Sequence, residues 1–167
     1  MKLRALAVLL PLAVLLAGCF TSEEPLLAAA DADFPFERIV YAAEDGSTST
    51  LVRQGDGYVA PDDTSVTVLL QSFGEGLYFV QLAGVDETGE PQALYAVAID
   101  ADGEIHLYRM LAQPQDLAEG GVPRCEGEIE EVDFGCLTDP AQLVNVVRAA
   151  IAAGEPPDAV LTVVELE

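Results

Sequence analysis

From residue 36 to residue 111 the chain alternates short apolar runs with breaks rich in Gly and Asp, the rhythm of antiparallel strands and tight turns. The runs predict strands over 36–43, 48–54, 57–60, 65–73, 77–84, 92–99 and 104–111. The breaks supply residues that tolerate positive φ: Gly55-Asp56-Gly57, Gly74-Glu75-Gly76, Asp86-Glu87-Thr88-Gly89 and Asp100-Ala101-Asp102-Gly103. Links this short join antiparallel neighbours. The strands are apolar on both faces. In 92–99, Tyr95, Val97 and Ile99 share one face, and Leu94, Ala96 and Ala98 share the other. In 77–84, Leu77 and Phe79 oppose Tyr78, Val80 and Leu82. A sheet wetted on one face alternates more cleanly, so both faces need cover. A helix is the simplest cover, and the small Ala96 and Ala98 would let it approach their face closely.

The period changes near the C-terminus. Asp139 reads as an N-cap, with Pro140 at the first helical position and Gln142 three residues after the cap. Leu143, Val144, Val147 and Ile151 then fall on one face at helical spacing. Gly154 and Pro156-Pro157 end the helix. A last strand is predicted over 159–165, and a loop over 113–138 joins meander to helix. The expected fold is α+β: an antiparallel β-meander of roughly six to eight strands, packed against one C-terminal α-helix and followed by a final strand.

The N-terminus has a different pattern. Lys2 and Arg4 precede an apolar run from Ala5 to Leu15, interrupted by Pro11. A basic start, an apolar stretch and small residues before a processing point make a secretory signal peptide. The run falls short of the roughly 20 residues that cross a bilayer. It ends in Leu16-Ala17-Gly18-Cys19, which resembles the lipobox of bacterial lipoproteins. The resemblance implies cleavage before Cys19, lipidation of Cys19 with palmitate-type acyl chains, and a chain hung from a membrane of the bacterial envelope. Phe20 stands where an Asp would imply inner-membrane retention, so the outer membrane, facing the periplasm, is expected. The chain then divides into a signal peptide (1–18), a lipidated N-terminus with a flexible tether (19–34) and one domain (35–167). Fully extended, residues 20–33 of the tether would reach about 45–50 Å at 3.3–3.6 Å per residue.

Composition narrows the partners. Five arginines, no lysine and all 29 acidic residues lie beyond the leader, and the whole chain carries a net charge of −22. Nucleic acid and anionic lipid surfaces are disfavoured, because phosphate contacts need Lys and Arg. The acidic surface reads first as a solubility device, with a basic partner or divalent cations as the other reading. With Cys19 taken by lipid, Cys125 and Cys136 form an even pair in an oxidising compartment and read as a disulfide. Closing that 12-residue loop is worth roughly 3 kcal/mol in the chain-entropy model. Zinc, the alternative, needs four ligands, and the chain has one histidine, His106.

Candidate chemistry is sparse. His106 shares a strand face with Tyr108 and Met110; a partly buried strand histidine is the favoured reading over a general base or metal ligand. Asp100-Ala101-Asp102-Gly103-Glu104 brushes against a calcium loop but lacks its earlier acid and its closing Glu, so a hairpin turn accounts for it. The acidic pairs Asp86-Glu87 and Glu130-Glu131 read as solvated charge, since neighbours on a strand face opposite ways. Gly120-Gly121 lacks the Lys and hydroxyl residue of a phosphate loop, and no Gly-x-Ser-x-Gly elbow is present. Tyr41, Tyr58, Tyr78, Tyr95 and Tyr108 recur through the strands, as core or as a binding row.

No catalytic residue, metal site or cofactor is assigned. The leading expectation is a non-enzymatic, lipid-anchored envelope domain that binds an unidentified protein partner or assists envelope assembly. It would expose an apolar patch or a sheet edge. The alternative is a carrier of a small apolar ligand, with a closed apolar pocket of several hundred Å³. A strand meander followed by a helix is similar in outline to lipocalins, which implies such a cavity. The chain departs from that family in having no Trp, hence no Gly-x-Trp element, and in its short strand runs. A third reading, an envelope hydrolase, would place His106 in a cleft with an acid in hydrogen-bond reach.

Overall fold

Residues 20–22, 24–85, 89, 91–108, 122–123 and 135–167 are described by a computed structural model of the chain. In chain order the elements are β1 (Phe20–Thr21), β2 (Arg38–Ala42), β3 (Thr48–Gln54), β4 (Gly57–Ala60), β5 (Asp63–Ser72) and β6 (Leu77–Val85). Then come β7 (Pro91–Ala101), β8 (Glu104–Tyr108), β9 (Gly135–Cys136), α1 (Pro140–Ala153) and β10 (Ala159–Leu166). Strands β2 to β8 form the expected meander, each pairing antiparallel with the next. The turns follow their local chemistry: between β7 and β8, Asp102 and Gly103 both take positive φ, the conformation a two-residue hairpin requires.

The sheet is more than a layer under a helix. Strand β10 pairs β8 on one side, Ala159 opposite Leu107, and β2 on the other, Leu166 opposite Ile39. A bulge between Val163 and Glu165 bends it across the gap. The eight strands thus close into a barrel with the order β10-β2-β3-β4-β5-β6-β7-β8. The runs read as short for a barrel, yet β5 has 10 residues and β7 has 11, because pairing extends through flanking residues with weak strand signals.

Closure settles what covers each face. Leu77, Phe79, Tyr95 and Val97 point outward and pack with Leu143, Val144, Val146, Val147 and Ala150 of α1. Val80, Leu82, Ala96 and Ala98 point into the barrel with Ile39, Tyr41, Tyr58, Val68, Leu107 and Leu161. The helix therefore lies on the Tyr95 and Val97 face, not on the Ala96 and Ala98 face assigned to it above. The small residues leave room inside the barrel instead. Ile151, expected on the buried face of α1, is exposed, while Val146 and Ala150 are buried. The contact stripe is centred on Leu143, Val146, Val147 and Ala150, and Ile151 stands one residue past its edge. The capping is as expected: the Asp139 side chain accepts from Ala141 N and Gln142 reaches back to the cap, while Gly154 takes a φ of 82°.

The stretch expected to be a tether is laid on the barrel from Ser22 onward. Leu27 is buried, and Gln81, itself 1% exposed, accepts from Leu27 N and donates to Leu27 O, both at 2.9 Å. The Ser22 and Tyr95 hydroxyls share a hydrogen bond. Asp33 N donates to Leu70 O at 2.7 Å, and Ser72 N donates to the Asp33 carboxylate at 2.7 Å. A buried glutamine that satisfies a passing backbone is what fastens an otherwise aperiodic segment. Among the cysteines, Cys19 and Cys125 lie outside the described residues, as does most of the 113–138 loop. Cys136 sits in β9, which pairs in parallel with β1, and its N–H donates to Pro123 O at 2.8 Å.

Candidate functional site: the barrel lumen

The barrel encloses a cavity of about 310 Å³. Its walls come from seven strands: Ile39 and Tyr41 of β2, Leu51 of β3, Val68 and Leu70 of β5, Val80 and Leu82 of β6, Ala96 and Ala98 of β7, Ile105 and Leu107 of β8, and Leu161 and Val163 of β10. The period of two along each strand puts every second residue inside, so the walls are apolar because those positions are. The space has a cause in side-chain volume. Ala96 and Ala98 leave the β7 wall thin, whereas the β4 side is filled by Tyr58, stacked on Phe36 with ring centres 4.3 Å apart. The Tyr58 hydroxyl donates to Phe36 O at 2.7 Å, which fixes the 34–36 segment where it enters β2.

The two ends of the barrel differ. One carries the hairpins β3–β4, β5–β6 and β7–β8, the start of β2 and the end of β10; the other carries the hairpins β2–β3, β4–β5 and β6–β7. Pro35, Phe36, Tyr78, Asp100 and Leu166 of the cavity lining stand at the first end, and Asp100 and Leu166 are exposed to solvent there, so the cavity has its mouth at that end. Asp100 is the one charged residue among the described lining residues. Three arginines stand near this rim among the described residues, and each is engaged: Arg148 of α1 donates to Phe73 O of the β5–β6 hairpin at 3.2 Å. Arg38 meets Glu165 at 2.8 Å and Glu167 at 3.9 Å, and Arg53 meets Glu37 at 3.1 Å while lying 4.3 Å over the Phe34 ring.

Of the described residues that line the lumen, Tyr41 and Tyr78 carry hydroxyl groups. Burial pushes the Tyr41 phenol above its ordinary value, and a hydrogen bond with the Ser49 side chain offsets part of that rise. Ser49 lies opposite Tyr41 in the β2–β3 ladder, so both face inward. Neutral phenols in an apolar wall offer a hydrogen bond without a charge to desolvate.

The residues singled out from the sequence fall elsewhere. His106 is on the outer wall between Ile99 of β7 and Val160 of β10, facing away from the lumen that Ile105 and Leu107 line. Its Nε2 lies 3.2 Å from a Glu104 carboxylate oxygen, so an acid is within reach, but the pair is partly solvated and is not part of the cavity. Asp100 to Glu104 form the β7–β8 hairpin. Tyr41, Tyr58, Tyr95 and Tyr108 are buried and Tyr78 is half-buried, so the tyrosines are core and lumen rather than an exposed row. Asp86-Glu87, Glu130-Glu131 and Gly120-Gly121 lie outside the described residues. Sequence reading did not single out the lumen wall as a site. Its signal was the second apolar face of β6 and β7, with two alanines where a close-packed core carries larger side chains. Comparison of the chain with family models, with curated proteins and with solved structures finds no match.

Proposed function

We propose that this chain is a lipid-anchored envelope protein whose barrel carries a small apolar ligand. The observation that carries the reading is the 310 Å³ apolar lumen. That volume is at the lower end of the range of small-molecule sites and about twice that of an engineered cavity that takes benzene. It suits a ligand of roughly ten to twelve non-hydrogen atoms. The protein-partner reading has weaker support. A closed barrel has no sheet edge to offer, and the exposed large apolar residues among those described, Val85, Ile151, Val164 and Leu166, are spread over the helix and both ends of the barrel.

Titration with 1-naphthylamine, a neutral fluorophore of fitting size, tests the lumen. Saturable 1:1 binding with a blue-shifted emission is expected. Ala96→Leu and Ala98→Leu fill the space from the thin wall, and each folded variant should bind at least tenfold more weakly, the loss expected when an apolar contact area of this size is denied. Unchanged binding in both variants would remove the carrier reading.

The anchor is part of the same proposal. Lipidation of Cys19 and a Cys125–Cys136 disulfide give one mass signature. Protein from the membrane fraction should weigh a chain starting at Cys19 plus its acyl groups, and reduction should add two hydrogens. A Cys19→Ala protein that stays in the membrane fraction, or a mass unmoved by reductant, would remove the corresponding element.

A further inference from the structure

We propose that the ligand is a cationic amphiphile, an apolar tail of about ten carbons with an ammonium head, held tail-inward in the lumen with its head at Asp100. The inference rests on the carrier reading and goes on to assign the ligand's charge. Three features of the mouth carry it.

Among the described residues, the lining has no positive group. Asp100, near the end of β7, is the charged residue of the described lining, and it lies at the rim, where a head group would sit. The Asp100 backbone N–H donates to Gly76 O at 2.9 Å, which ties its position to the neighbouring β5–β6 hairpin and keeps it on the rim. A carboxylate ligand drawn into this lumen would give up water with no cation to replace it, an expensive transfer.

The positive charge near the mouth is engaged and outnumbered by acids, with Arg148 of α1 held on the Phe73 carbonyl at 3.2 Å. Arg38 is bound to Glu165 and Glu167, and Arg53 to Glu37. The three hairpins of this end add Asp56, Glu75 and Asp102 to the rim. The field at the opening is therefore negative, and low-dielectric walls focus it on an entering head group.

The lumen itself is made for the tail. Its walls are aliphatic apart from Phe36 at the mouth and the two tyrosines, and Tyr41 stands at the far end of β2 from the mouth. The tail displaces little polar surface there, and the neutral phenols leave no charge to oppose it.

The test is displacement of 1-naphthylamine by decylammonium, 1-decanol and decanoate at pH 8 in 0.15 M salt. The displaced probe reads occupancy of the lumen, so adsorption of a cation elsewhere on the acidic surface does not register. The expected order is decylammonium tightest, then decanol, then decanoate. Asp100→Asn should weaken decylammonium by about five- to tenfold, the scale of one partly exposed charge pair, and leave decanol within about twofold. Asp45→Asn is the control. Asp45 lies in the β2–β3 hairpin at the opposite end, and its substitution removes one negative charge just as Asp100→Asn does, so it should change decylammonium binding by less than about twofold.

Decanol or decanoate binding as tightly as decylammonium would overturn the proposal. So would equal effects of Asp100→Asn and Asp45→Asn, which would reduce the preference to general charge. Failure of 1-naphthylamine itself to bind would instead remove the carrier reading on which the proposal rests.

Discussion

Gln81 shows how one side chain commits a segment. It is a fully buried polar residue in a strand whose neighbours are apolar, a position that needs partners. Both of its amide atoms are used, on the N–H and the C=O of Leu27. Gln81→Leu keeps the volume roughly and removes both partners, leaving two backbone groups to be satisfied by water or not at all. The expected cost is about 2 kcal/mol, read as a lower urea midpoint, with faster hydrogen exchange at the Leu27 amide. Normal exchange at Leu27 in that variant would show that the burial of Leu27 alone holds the segment. The glutamine is plain in the sequence, but its partner is 54 positions away in an aperiodic stretch. No local rule links the two, so the segment read as a tether.

At the scale of elements, α1 depends on its ends as much as on its face. The Asp139 carboxylate accepts from Ala141 N at 2.6 Å, and Gln142 accepts from Thr138 N at 2.8 Å. Asp139→Ala should cost about 1 kcal/mol and lower the melting temperature by a few degrees, as followed by circular dichroism. The face explains the rest of the energy. Leu143, Val144, Val146 and Val147 are close to fully buried against β6 and β7, each worth about 1.5–3 kcal/mol relative to exposure. The caps were legible because they act over three residues. The side of the sheet that received the helix was not, because the faces of β6 and β7 are both apolar and a helix can cover either. Bulk decided it: Phe79 and Tyr95, stacked with ring centres 5.5 Å apart, form with Val97 a broad platform for a helix, whereas Ala96 and Ala98 on the other face complete a lumen.

For the whole molecule, charge and burial set the conditions of stability. Burial raises the Tyr41, Tyr58, Tyr95 and Tyr108 phenols above the ordinary tyrosine value. Their contribution is fully present below about pH 10 and is lost as pH rises through the raised values, because the unfolded chain ionises first. Asp45 and Asp63 move the other way, held low by bonds from the Ser47 and Ser65 hydroxyls. Their contribution is present above about pH 4 and is lost as pH falls through the lowered values. Between these limits the net charge of −22 pushes the fold apart. At pH 8 the melting temperature should therefore rise by a few degrees between about 0.01 and 0.3 M salt, as screening shortens the reach of that repulsion. A fall over the same range would mean that the ion pairs around Arg38 and Arg53 outweigh the repulsion.

The sequence by itself determined the strands of the meander, the hairpins, the helix with both its caps, and the closing strand, but not the short β1 and β9. Each depends on residues within a few positions: a period of two or 3.6, a glycine at positive φ, an Asp three residues before a Gln. It also determined that both faces of the meander are apolar. Only the tertiary structure decided that β10 joins β8 to β2, since the pairing of Leu166 with Ile39 links the two ends of the domain and leaves no local mark. That one closure turned a covered sheet into a barrel and an alanine-lined face into a cavity. It also set Asp100 on the cavity's rim and left His106 on the outside wall.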